Sequence, residues 1–167
     1  MADIRTFTSV GPWTAKSGGE LTVLFALPWD TLAAFFRYDN NELSNVPGDI
    51  RGLRCYRVKN VPDGGIGGME FHRIREEIIV CLRGAFTLEC EDIKGRRRRF
   101  RLKNGRGIWI PPYVLHTYKA LANRSGLLVV ANTLFDPNNH AMRDTYSQEA
   151  FRMLRSEQKT AKQHSKK

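Results

Sequence analysis

Short runs in which apolar and polar residues alternate fill the middle of the chain, and they predict strand after strand. Leu21–Leu27 is the first strand candidate. Pro28–Phe36 predicts a short helix with Asp30 as its N-cap. Asp39–Asp49, rich in Asn, Asp, Pro and Gly, predicts a loop. From Leu53 the strands Leu53–Val61, Gly67–His72, Glu77–Arg83, Ala85–Cys90, Arg97–Leu102, Gly107–Ile110, Val114–Ala120 and Leu127–Thr133 follow in close order. Pro62-Asp63-Gly64-Gly65 is a turn. Glu91–Gly95 is a hairpin turn in which Lys94-Gly95 supplies the left-handed position. Many short strands at even spacing argue for an all-β sandwich or barrel. From Arg143 to Lys159 the spacing becomes helical, with Tyr146, Ala150, Phe151 and Leu154 on one face that packs on the barrel. The reading divides the chain into a loosely packed N-terminal segment (1–20), a barrel (21–140), a C-terminal helix (141–160) and a basic, disordered tail (161–167).

A length of 167 residues suits one domain with a real core. The start does not resemble a signal peptide. No apolar run approaches the ~20 residues of a membrane helix, so the chain is read as soluble and cytoplasmic. Cys55, Cys81 and Cys90 are odd in number and lack C-x-x-C spacing, which argues for reduced thiols rather than disulfides or a zinc cluster. The formal charge of +10 gathers in the tail and in Arg96–Arg99, Arg101 and Lys103. With no accompanying nucleic-acid-binding pattern, these are read as a polar tail and the outward face of a hairpin, suited to drawing in an anionic small molecule.

Two segments carry chemistry. One holds Glu70-Phe71-His72, then Glu77 and Gly84; the other holds Gly105, Pro111 and His116. On a strand, Glu70 and His72 lie two residues apart on one face, which pairs a carboxylate with an imidazole. One base near neutral pKa can take a proton from a carbon and return it to the neighbouring carbon. Glu70 could orient that base or serve as a second acid/base. Arg54 or Tyr56 could donate to a developing oxyanion.

These two segments resemble the two-part cupin signature, G-x5-H-x-H-x3-4-E-x6-G and G-x5-P-x-G-x2-H-x3-N, with Glu70 in place of the first histidine and Tyr113 in place of a glycine. Beyond that, Arg54-Cys55-Tyr56-Arg57-Val58-Lys59-Asn60-Val61-Pro62, Gly68-Met69-Glu70-Phe71-His72-Arg73, the strand pair Glu76–Phe86 and Gly107-Ile108-Trp109-Ile110-Pro111-Pro112 resemble the cupin-type nucleotide-sugar 3,4-ketoisomerases, the WxcM-like sugar isomerases. The resemblance covers about Leu21–Phe151, with 38–49 as an insertion. It implies a cupin jelly-roll β-barrel with a C-terminal α-helix, and a homodimer that exchanges edge strands. It also implies an enzyme that isomerises a dTDP- or UDP-linked 4-keto-6-deoxyhexose to the 3-keto sugar with no cofactor. His72 then stands as the catalytic base, Glu70 as its partner, and Tyr56 and Arg54 as further catalytic groups. Arg57, Arg73, Trp109, Tyr113 and His116 stand as substrate-binding residues. The alternatives are a metal-dependent cupin, as dioxygenase or isomerase, because Glu70, His72, Glu77 and His116 match four metal-ligand positions of the wider cupin family and offer two imidazoles and two carboxylates that suit Fe, Mn or Ni, and a nucleotide-sugar-binding cupin without activity.

Overall fold

Twelve strands and three helices build the protein in the computed structural model, which describes residues 2–136, 138–139 and 142–164, with backbone only at 159 and 161–164. In chain order they are β1 Arg5–Thr8, β2 Val10–Thr14, β3 Glu20–Val23, α1 Trp29–Phe35, α2 Asn40–Leu43, β4 Arg51–Val61, β5 Ile66–Phe71, β6 Glu77–Arg83, β7 Ala85–Asp92, β8 Arg97–Lys103, β9 Arg106–Ile110, β10 Val114–Ala120, β11 Ser125–Thr133, β12 Tyr146–Ser147 and α3 Gln148–His164. Two five-stranded antiparallel sheets face each other. One runs β1-β9-β6-β11-β4 and the other β12-β5-β10-β7-β8.

The alternation along each strand decides which side is core. Ile79 and Cys81 of β6, Phe86, Leu88 and Cys90 of β7, Ile108 and Ile110 of β9, and Val114 and Ala120 of β10 fill the space between the sheets. The opposite parity of the first sheet, Ile78, Val80, Trp109 and Val130, meets a second cluster closed by Phe35 of α1. A third cluster seats α3 on the second sheet, where Phe151 meets Phe71 and Leu115, flanked by Tyr146, Ala150 and Leu154. Ala150, Phe151 and Leu154 form the helix face expected from the spacing, whereas Tyr146, expected on the same face, lies on β12 instead.

Several boundaries differ from the sequence reading. The N-terminal segment is partly strand: β1 pairs with β9 and Ile4 is buried in the main core. Its Phe7 lies against Gly107, where any Cβ would clash with the ring. The first strand expected at Leu21–Leu27 is shorter. As β3 it pairs only with β2, in a ribbon whose residues are all exposed, while Leu24, Phe25 and Leu27 leave the strand to pack on the second cluster. Asp30 lies inside the first turn of α1, whose N-cap is Pro28. The loop 39–49 contains one helical turn, because Asp39 accepts from the backbone N–H groups of Asn41 and Glu42. The C-terminal helix starts later than expected, at Gln148, and its backbone continues to His164. His140 and the last three residues of the expected tail lie outside the described residues. The hairpin turn behaves as read, with Gly95 at φ +82°.

Candidate active site

The site begins with an irregularity in β5. Gly68 and Met69 both have positive φ, +79° and +66°, and the β5–β10 register shifts between His116 and Thr117. A Cβ at Gly68 would stand 2.8 Å from the carbonyl oxygen of His116, so this close approach needs glycine. Beyond the bulge the pleat resumes. Phe71 then points to α3, while Glu70 and His72 turn to the other face, and Glu70 pairs in register with His116 of β10.

One ligand-capable atom from each of Glu70, His72 and His116 lies within 4.8 Å of the others. The two imidazole centroids are 5.4 Å apart. Glu77, the first residue of β6, enters from the facing sheet and stands between the imidazoles. Its Oε1 is 3.6 Å from His72 Nε2 and its Oε2 is 3.5 Å from His116 Nε2. His72, His116 and Glu77 are each only 3 % exposed. Burial opposes charge on Glu77, yet the two imidazoles outweigh it and hold the carboxyl well below the usual carboxylate range. Burial likewise pulls His116 down, and Glu77 reverses this, leaving the imidazole above its ordinary value.

The ring nitrogens are sorted by their backbone contacts. Nδ1 of His72 lies 2.6 Å from the carbonyl oxygen of Asp144, and Nδ1 of His116 lies 3.1 Å from that of Val114. Carbonyl oxygens only accept, so each Nδ1 carries the proton and each Nε2 turns inward. Among the described residues, Nε2 of His72 is buried without a hydrogen-bond partner.

Glu70 connects this group to a cavity of about 440 Å³, which it lines together with Arg54, Tyr56, Arg75, Phe135, Arg143 and Thr145. Arg54 stacks over both Tyr56 and Phe135 at 4.9 and 4.8 Å, and Arg143 lies over the same Phe135 ring at 5.8 Å. Burial and the nearby Arg75 charge lower Arg54 from its ordinary value. It remains a cation, since a guanidinium does not lose its proton in proteins. The Tyr56 hydroxyl donates to Glu77 Oε1 at 3.5 Å. Burial, followed by the Glu77 charge, raises its pKa, which keeps it a neutral donor.

The other expected substrate-binding residues lie elsewhere. Arg57 has the opposite parity to Tyr56 on β4 and is exposed on the outer side of the sheet. Trp109 alternates with the inward Ile108 and Ile110. Its indole therefore packs edge-on against Phe35 and donates to Glu76 behind the sheet, which corrects its place as a ligand-stacking ring. Arg73 and Tyr113 are both engaged by Glu42 of α2 rather than lining the cavity. Two residues that the motifs did not single out matter here: Arg75, buried at the cavity wall, and Asp144, buried beneath His72. No local spacing marks them, because their partners lie about 60 to 70 positions away in the chain.

The facing antiparallel sheets, with paired imidazoles and carboxylates between them, define a jelly-roll cupin. The family described as FdtA: WxcM-like, C-terminal matches residues 37–152, and the chain belongs to it. Solved structures share the fold at low identity. The sugar 3,4-ketoisomerase QdtA from Thermoanaerobacterium thermosaccharolyticum, in complex with TDP, is 18% identical at a TM-score of 0.63, over 96% of this chain and 98% of that one. WlaRA, a TDP-fucose-3,4-ketoisomerase from Campylobacter jejuni, is 18% identical at 0.60, over 89% and 93%. The dTDP-4-dehydrorhamnose 3,5-epimerase from Bacillus anthracis is 13% identical at 0.62, over 87% and 78%. No curated protein sequence matches the chain.

Proposed function

We propose that the protein isomerises a nucleotide-linked 4-keto-6-deoxyhexose, a dTDP- or UDP-sugar, to the 3-keto sugar. The observation that carries this is His72 Nε2: buried, without a hydrogen-bond partner among the described residues, and close to Glu70, which itself lines a cation-rich cavity. Its Nδ1–H is already committed to a carbonyl, so in the neutral ring the electron pair sits on Nε2.

The chemistry follows from that lone pair. Nε2 removes the proton from C3, and the C–H electrons form a C3–C4 double bond while the C4 carbonyl oxygen becomes an enediolate oxygen. Tyr56, held neutral, and the cation Arg54 supply the donors for that charge. Glu70 carries the hydroxyl proton from O3 to O4. The C3 carbonyl then forms, and the imidazolium returns its proton to C4. Atoms and electrons balance without an outside oxidant. The guanidinium group of Arg143, also in the cavity lining, suits the diphosphate that such a substrate carries.

The test is incubation of purified protein with dTDP- or UDP-4-keto-6-deoxyglucose in deuterated buffer, followed by NMR. A 3-keto product that gains deuterium is expected. His72→Asn should lower turnover at least ~100-fold, the low end of what a positioned general base contributes. Turnover unchanged in that variant refutes the assignment, and label entering C5 as well as C3 would point to 3,5-epimerisation instead.

A second reading rests on the same trio. Glu70, His72 and His116 form a two-imidazole, one-carboxylate donor set within 4.8 Å, and the unpartnered Nε2 fits an ion as well as a proton. Fe(II), Mn(II) or Ni(II) held there would polarise a substrate oxygen. Stoichiometric metal that EDTA removes together with activity would favour this reading.

The same proposal takes the working form as a cytoplasmic homodimer. The β2–β3 ribbon exposes Val10, Trp13, Leu21 and Val23, apolar area that a second copy would cover. Light scattering on the purified chain measures the oligomeric state directly.

A further inference from the structure

Asp144 touches the base without entering the cavity, and it does so through both of its polar ends. Its backbone carbonyl accepts from His72 Nδ1 at 2.6 Å. Its carboxylate accepts three consecutive backbone N–H groups just past that histidine: Arg73 at 2.9 Å on Oδ1, and Ile74 at 3.0 Å and Arg75 at 2.7 Å on Oδ2. The side chain is 4 % exposed. Asp144 sits at φ +43°, a left-handed backbone that costs a residue with a Cβ unless its surroundings enforce it.

The surroundings do enforce it. The buried guanidinium of Arg75 donates to the Arg143 carbonyl at 2.6 Å through Nη2, to Thr145 Oγ1 at 3.5 Å through Nη1, and to Thr133 Oγ1 of β11 at 2.9 Å through Nε. Residues 143–145 are thus gripped on one side by Arg75 and on the other by Asp144's own carboxylate. The two strands that frame Asp144 are otherwise only lightly joined, since β12 pairs with β5 at two positions.

We propose that Asp144 is the positioning residue for His72: its carboxylate locks the 73–75 amides so that its carbonyl holds Nδ1–H and leaves the lone pair on Nε2. A carbonyl cannot donate, so the contact admits only the Nδ1–H tautomer of neutral His72. Without the carboxylate clamp, the carbonyl is free to swing away and the imidazole to exchange tautomers or rotate. The assignment rests on His72 being the base, but its geometric content stands apart from the reaction, and the experiment separates the two.

The experiment is ¹⁵N NMR of the His72 ring in the full chain, assigned with His72→Asn, alongside turnover of the 4-keto nucleotide sugar. In the unaltered protein at a pH where His72 is neutral, Nε2 should resonate as an unprotonated nitrogen and Nδ1 as a protonated one. Asp144→Asn keeps a side chain that tolerates positive φ yet places an NH₂ against amide donors, so it loses one or two of the three bonds. It should shift the two nitrogen signals toward each other and lower kcat by ~10–100-fold, the range typical of groups that orient a site's side chain, with KM little changed. Addition of EDTA keeps bound metal from mimicking the tautomer signature. A His72 ring protonated on Nε2 in the unaltered protein overturns the proposal whether or not any variant folds. So does an Asp144→Asn protein with unchanged nitrogen signals. If the tautomer signature holds and no sugar turns over, the positioning role survives and the isomerase reading fails.

Discussion

Replacing Glu77 by Gln tests how the centre of the barrel is held together. Glutamine keeps the shape but removes the charge that faces His72 at 3.6 Å, His116 at 3.5 Å and Arg75 at 3.6 Å. Removing one partner of a buried charged pair costs ~3–5 kcal/mol. Arg75 retains three other acceptors, so little of that penalty falls on it, and a loss of ~2–3 kcal/mol is expected. At ~2–4 °C per kcal/mol for a chain of this size, the midpoint should drop by ~5–10 °C. The pH dependence gives a sharper check. The Glu77 pKa is depressed below 4.5, so its stabilisation is present above that value and fades as pH falls through the folded pKa. The His116 pKa is raised above 6.5, so its stabilisation is present below that value and fades as pH rises through the folded pKa. The gap between the two proteins should therefore be widest between about pH 4.5 and 6.5 and narrow on both sides. Thermal unfolding by calorimetry in EDTA from pH 3 to 9 measures it. A pH-independent gap, or equal midpoints at pH 5.5, would show that Glu77 and His116 do not form a charged pair in the fold.

Two further outcomes follow from the packing. Burial pushes Glu76 up to about 7, against the donation from Trp109, so its protonated form is favoured in the fold and stability is lost as pH rises from 4.5 towards 7. The full shift corresponds to ~3.4 kcal/mol at 1.36 per unit. Partial exposure brings this to ~1.5 kcal/mol, so Glu76→Gln should be more stable than the unaltered protein at pH 8 and equal to it at pH 4, by urea denaturation. Phe151, fully buried between Phe71 and Leu115, anchors α3, and Phe151→Ala should cost ~3–5 kcal/mol. If its urea midpoint is unchanged, α3 is not part of the cooperative fold.

Much of the framework was legible because it is written in short range. Alternation over four to nine residues marked eight strands in their right places, and Gly95 marked its turn, since pleat and turn chemistry are local. The same parity placed Glu70 beside His72, and the paired motifs placed His116 and Glu77 with them. Alternation left undecided what each face would meet. Trp109 sits among cupin motif residues, yet its parity turns it to the back of the sheet, where α1 closes over it. Arg73 and Tyr113 flank the site in sequence, but Glu42 from the inserted turn claims both. Arg57 and Tyr56 are neighbours on one strand and face opposite sides.

By itself, then, the order of residues determined the strands, the family and the acid–imidazole pair, all of which depend on contacts within a few positions or on one repeated spacing. Only the folded chain decided which carbonyl meets His72 Nδ1, which cations line the cavity, and that Arg75 grips the segment that carries Asp144 against His72. Those outcomes depend on groups some 60 to 70 residues apart meeting at hydrogen-bond distance, and such meetings leave no periodic trace along the chain.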